Sequence, residues 1–230
     1  MRRRFLPFLL VLVALHARAQ EKGPAIRPMQ EDEYDAFFNF YYENPRPERV
    51  VAAIAYLGTH GTLEKESAIP PVIGFFTELF ARNPEKAAEW KQAAEGQPEV
   101  VNTALSQALA LSSDPKKFLA LPPSSSSNDI LWGAFFASGD QEYLTQVMRQ
   151  LSHMAERKDL SLFLTGASAK WSLASNAEDH PAVKAAIEKA RAKATSRQRD
   201  ELDDVLAKSP AQLQEEAVSI LREEHAKGTW

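Results

Sequence analysis

Apolar residues recur along most of this chain at intervals of three and four positions, the spacing that places side chains on one face of an α-helix. Val50, Ile54 and Leu57 form one such stripe, and Tyr143 and Val147 belong to another. No segment alternates polar and β-branched residues for long enough to indicate a strand. The pattern therefore predicts an all-α fold with no β-sheet.

Prolines and turn-forming pairs divide the pattern into about eleven short helices. The first helix is predicted from Glu31 to Glu43, where Asn44-Pro45 ends it, and Asn83-Pro84 ends the third. Short helices joined by tight turns predict an irregular array of stacked helical hairpins, similar to an α-solenoid. We expect this array to form one repeat-like domain over residues 30–228.

The clearest interruption is the segment 121–128, in which two prolines precede four serines. Such a composition is typical of a loop, and Asp129 is a suitable N-cap for a helix from Ile130 to Ala137. Apolar helices resume at once, so we interpret 121–128 as a loop within one domain more readily than as a boundary between two subdomains.

The amino terminus has the pattern of a cleavable signal peptide over residues 1–19. Arg2–Arg4 are followed by the apolar run Phe5–Leu15 and by Ala17 and Ala19, which suit cleavage before Gln20. A membrane anchor would need about 20 apolar residues, and a buried helix would not need the arginines. The pattern predicts export to the periplasm or the medium, by the general secretory route or the twin-arginine route.

Residues 20–29 are polar and contain two prolines, so they are predicted to be a flexible arm. The chain has no cysteine, which excludes disulfides and attachment to lipid through an N-terminal cysteine. Removal of the signal would leave 23 basic and 31 acidic side chains, a net charge of −8. This balance argues against nucleic acid as a partner and against anionic membrane surfaces, since both attract basic proteins. We expect no stable membrane insertion after cleavage.

No motif for catalysis, cofactor binding or metal binding is found. The histidines after the signal are His60, His153, His180 and His225, and no two have the i, i+4 spacing of a metal site. Gly166-Ala167-Ser168 begins the motif of a nucleophile elbow, but Lys170 stands where the final glycine is required. We therefore predict no catalytic residue, no cofactor and no metal ligand.

Aromatic residues are unusually concentrated in the first helix, too many for one apolar stripe. Phe40 and Tyr42 fall away from the face that the other aromatic residues of this helix would bury. One interpretation is a capping helix buried on two sides. The other is an aromatic surface that binds a peptide or protein, and we include Trp132 and Trp171 in this candidate interaction surface.

The segment from Trp132 to Asp140, followed by Tyr143-Leu144, resembles the helix-turn-helix units of tetratricopeptide-like and HEAT-like arrays. Phe37-Phe38 and Phe75-Phe76 are offset by 38 residues, close to the period of two-helix repeats. The segment Ala169–Asn176 is similar to secreted bacterial proteins of no assigned function. The resemblance implies a bacterial envelope protein.

Two functions are compatible with these observations. The first is a protein-interaction or scaffold module with a protein or peptide partner, because helical arrays offer extended binding surfaces. The second is an enzyme or small-ligand-binding protein whose site is assembled from scattered residues, among them Trp132, Trp171 and the histidines. A pocket with converging ionisable groups would favour the second.

Overall fold

The computed structural model describes residues 27–230, and the predicted signal peptide lies outside them. Within this range the chain is helical throughout, with eleven α-helices, several short 3₁₀ segments and no strand. The predicted all-α fold is confirmed. The helices are α1 (Glu31–Asn39), α2 (Val50–Thr59), α3 (Ile69–Arg82), α4 (Ala87–Glu95), α5 (Glu99–Leu111), α6 (Ser125–Ser138), α7 (Gln141–Gln150), α8 (Leu160–Asp179), α9 (Pro181–Arg191), α10 (Ser196–Ala207) and α11 (Pro210–Ala226).

The helices form an array in which α3, α6, α8 and α11 follow one another, each in contact with the next. Three further helices pack against this row. Helix α5 contacts α3, α7 contacts α6 and α8, and α9 contacts α7 and α8. A single cluster of buried apolar residues extends from Met29 to Leu213. The first helix departs from a simple succession, because α1 contacts both α2 and the distant α6.

The prediction of a loop over residues 121–128 is wrong for residues 125–128, which are helical. Ser125 is the first residue of α6, and Ser124 is its N-cap. The Ser124 and Ser127 side chains each accept a hydrogen bond from the other residue's backbone N–H, at 3.0 and 2.9 Å. This reciprocal pattern is a capping box, which satisfies amide groups that a helix leaves unpaired at its start. Asp129 is consequently inside the helix and not its N-cap.

The predicted flexible arm, residues 20–29, lies partly outside the described range, and residues 27–29 are attached to the fold. The side chain of Met29 is buried. The backbone carbonyl of Arg27 accepts a hydrogen bond from Arg49 Nη1 at 2.9 Å, and the Arg27 guanidinium pairs with Glu33 at 2.8 Å.

No helix within residues 27–230 is long and apolar enough to cross a membrane.

Candidate interaction surface

Trp132 belongs to the core and not to a surface. It is only 4% exposed, and its ring stacks on that of Phe136 with 5.6 Å between centroids. Its indole Nε1 donates a hydrogen bond to Ser172 Oγ at 2.9 Å, which joins α6 to α8. The prediction that Trp132 is part of an exposed interaction surface is wrong, because the crossing of these two helices covers it.

Phe40 and Tyr42 are half-buried, and both pack on the buried His180. The Phe40 ring stacks on the imidazole at 4.5 Å between centroids. The Tyr42 hydroxyl lies 2.8 Å from Glu43 Oε1 and 3.1 Å from His180 Nδ1. Because a hydroxyl has one proton, donation to Glu43 requires that His180 donates its Nδ1–H to Tyr42 Oη. Burial lowers the pKa of His180, against the opposing charges of Glu43 and Asp179.

These contacts favour the interpretation of the aromatic segment as a packed structural element. Tyr34 and Phe37 of α1 are buried, and Phe38 stacks on Phe75 of α3 with 4.4 Å between centroids. Phe40 and Tyr42 continue the packing to His180, at the junction between α8 and α9. The segment therefore holds the amino-terminal helix against the middle and the later part of the array.

Trp171 is the one residue of the predicted surface that is well exposed, at 45%. The other large apolar side chains that are exposed within residues 27–230 are Leu160 and Leu164, each 40% exposed, and both also belong to α8. At about 100° per residue, the three side chains fall within about 40° of one another around the helix. We call these three residues the α8 stripe.

A separate surface feature is a groove between α7 and α9, closed at one end by α10. Its volume is about 420 Å³, and Met148, Leu151, Ala186, Ala190 and Leu202 provide apolar lining. The alanines of α9 leave room between the helices that larger side chains would fill. The groove is open to solvent along one side, and we call it the basic groove for the charges described next.

Three cationic side chains line the basic groove: Arg149 on α7, and Lys189 and Lys193 in and just after α9. No acidic residue is among its lining residues. Arg149 donates a hydrogen bond to the amide oxygen of Gln146 at 3.1 Å, and none of the three forms an ion pair within the described part of the chain. Both walls of an apolar groove therefore present positive charge to solvent.

Lys170, a buried basic side chain outside the groove, is paired with two carboxylates. The Lys170 ammonium on α8 lies 2.7 Å from Glu201 Oε2 and 2.6 Å from Asp204 Oδ2 on α10. Burial alone would raise the pKa of Asp204, but hydrogen bonds from Lys170 and Lys208 outweigh it and lower the pKa. This arrangement neutralises charge between helices and tethers α10 to α8.

Glu78, buried on α3, joins that helix to α7 in a similar way. It accepts a hydrogen bond from the Tyr143 hydroxyl and pairs with Arg82 at 2.9 Å. Burial, together with the hydrogen bond to Glu78, raises the pKa of Tyr143. The Glu78 carboxylate thereby joins α3 to α7 through a side-chain hydrogen bond within the core.

The histidines that the alternative function would use have separate surroundings. His60 stacks on Tyr56 at the end of α2, with 3.9 Å between ring centroids, whereas His180 lies at the start of α9. His225 is exposed near the end of α11. Across residues 27–230 no group of three or more histidine, cysteine, aspartate or glutamate side chains is arranged to hold a metal ion.

The residues that line the basic groove form no recognised motif in the sequence. The available signal was the i, i+4 pair of Lys189 and Lys193, interleaved with Ala186 and Ala190 on one face of a predicted helix. That pattern marks a face with small side chains and positive charge, but the opposing wall comes from another helix. No protein-family model, curated protein or solved structure matches this chain.

Proposed function

We propose that this chain is an exported protein-interaction module of the bacterial envelope, and that the α8 stripe is a contact surface for its partner. The observation that carries the proposal is the location of the exposed large apolar residues of the described chain on one face of one helix. Contiguous exposed apolar side chains mark protein–protein contacts more often than isolated ones do. The tryptophan also suits such a role, because tryptophan is enriched among residues that dominate binding energy.

The helical array supports the same function. Stacked helical hairpins hold their surface residues on rigid elements, so an apolar stripe keeps its shape before binding and loses little entropy on association. The core beneath the stripe includes Phe163 and Leu173, both fully buried on the same helix. The partner is a different protein that buries Leu164 and Trp171 together.

Site-specific photo-crosslinking in cells tests the stripe. A photoreactive residue at Leu164 should give an adduct of discrete mass, whereas the same residue at Ser106, exposed on α5 and outside the stripe, should not. Trp171→Ala should abolish the Leu164 adduct. Equal adducts from both positions would contradict the proposal, as would an adduct of twice the mass of this chain.

The export part of the proposal has its own test. The protein recovered from the cell envelope or the medium should begin at Gln20, as intact mass and amino-terminal sequencing can show. Recovery of a chain that retains Arg2–Arg4, in the cytoplasmic fraction alone, would contradict export while leaving the crosslinking result intact.

A further inference from the structure

The basic groove is a second surface, separate from the α8 stripe. We propose that it binds an acidic amphipathic α-helix of a protein partner, with the partner's apolar residues against the floor and its carboxylates against the three cations. This inference rests on the proposed function as an interaction module and names the chemistry of what that module recognises.

The dimensions of the groove fit one face of a helix. Its α7 wall extends from Gln141 to Arg149, about 12 Å at a rise of about 1.5 Å per residue. The opposite wall extends from Ala186 on α9 to Ala194, just beyond the end of that helix. Residues i and i+7 of a partner helix are about 10.5 Å apart by the same rise, so side chains at i, i+4 and i+7 fit between the ends of the groove.

The chemistry of the floor suits such side chains. Met148 of α7 is half-buried and lines the groove, and methionine adapts its shape to the apolar group that it meets. Leu151 and Leu202 are almost fully buried, which makes one end of the floor rigid. A leucine-rich face would replace water over this apolar lining, the main favourable contribution to association.

The charges select the flanking residues of the partner. Arg149 stands on one wall, and Lys189 and Lys193 stand on the other, so carboxylates on both sides of an apolar stripe would each meet a cation. The whole chain has more acidic than basic residues, and a groove lined with three cations and no carboxylate is a local reversal of that sign. Complementary charge of this kind gives specificity and increases the association rate.

The open side of the groove favours a helix over a small anionic amphiphile. Small-ligand pockets usually enclose about 70–90% of the ligand surface, whereas Lys189 and Lys193 are exposed at the rim of an open groove. A helix needs only one buried face, and its opposite face stays in water. An acyl chain would leave apolar surface exposed in the same position.

Fluorescence anisotropy with two synthetic peptides tests the inference. Both peptides have leucine at i, i+4 and i+7 of a 16-residue helix, and one has glutamate and the other lysine at the flanking positions. The purified protein should bind the glutamate peptide at least tenfold more tightly than the lysine peptide. The double substitution Lys189→Glu and Lys193→Glu should reverse this preference, while Lys184→Glu, an exposed residue elsewhere on α9, should preserve it.

Unchanged thermal unfolding of each variant shows that a lost preference comes from the groove and not from misfolding. Equal affinity for the two peptides, or a preference that survives the double substitution, would overturn the inference. Binding of laurate without binding of either peptide would also overturn it and identify a small amphiphile as the ligand. Trp171→Ala should leave peptide binding intact, so failure of the α8 stripe and failure of the groove are distinguishable.

Discussion

Gly74 of α3 and Gly133 of α6 lie reciprocally against each other's helix backbone. A Cβ atom on Gly74 would come within 2.0 Å of the Ile130 carbonyl oxygen, and one on Gly133 within 1.9 Å of the Pro71 carbonyl oxygen. Because these obstacles are backbone atoms, no side-chain rotation can relieve the contact. The two central helices therefore pack at a distance that only glycine permits.

Gly74→Ala or Gly133→Ala should each lower the free energy of unfolding by about 2–4 kcal/mol, somewhat beyond the usual cost of overpacking a core, since the helices must separate. In a helix free of such contacts, the same substitution would stabilise by about 1 kcal/mol. Urea unfolding followed by circular dichroism measures the difference.

Gly96→Ala is the matched control. Gly96 follows α4 in a right-handed backbone conformation, and the nearest atom to an added Cβ there is 3.9 Å away. We expect this substitution to be neutral or slightly stabilising. Similar destabilisation at Gly96 and Gly74 would contradict close packing as the cause.

The two tryptophans of the predicted surface should behave in opposite ways. Trp132→Ala should destabilise the protein by about 3–5 kcal/mol, as truncation of a buried aromatic residue does. Trp171→Ala should cost far less, about 1 kcal/mol, since nearly half of Trp171 is exposed. Trp171→Phe should also lower the tryptophan fluorescence that acrylamide quenches, and Trp132→Phe should not.

The pH dependence of stability should contain a contribution from His180. Its pKa is lowered in the folded state, so the unfolded chain binds the proton more readily. The stability associated with neutral His180 is complete above the unfolded pKa of about 6.5 and is lost as the pH falls from there towards the lower folded pKa. His180→Gln should flatten the loss of stability between pH 7.5 and 5, and His225→Gln, on the exposed part of α11, should not.

Asp129 should make the folding stability depend on pH in the opposite direction, over part of the same pH range. Burial raises its pKa to about 6, so the folded chain binds the proton more readily, and stability is lost as the pH rises from the unfolded value of about 3.9 through the folded one. Asp129→Asn should therefore stabilise the protein at pH 7 by about 1 kcal/mol, a value reduced for partial solvent screening. The gain should vanish near pH 3.5 in urea titrations. A gain that persists there would show that charge is not its origin.

The sequence predicted the helices well because prolines and caps act locally. Pro84 and Pro181, for example, begin helical segments where their fixed φ is favourable. It predicted the segment 121–128 poorly, because serine side chains form hydrogen bonds to nearby backbone amides. That property favours serine both in loops and at helix N-termini. Only the surrounding fold shows which of the two occurs.

The site was harder to predict than the fold because it depends on contacts between distant segments. Trp132 and Trp171 are equivalent by residue type, and only the crossing of α6 and α8 buries one and exposes the other. The walls of the basic groove come from Arg149 and Lys189, 40 positions apart along the chain. The periodicity of apolar residues within one helix does not indicate which other helix it will contact.

The capping box of Ser124 and Ser127 has a mechanical consequence. It makes residues 124–127 the ordered start of α6, the helix that α3 contacts most closely, where the sequence predicted a loop. A force applied to the two ends would have to peel α3 from α6 before the amino-terminal and carboxy-terminal halves could part. We therefore expect that the two halves do not fold when expressed separately and do not undergo domain swapping. The helical array should move as one rigid body.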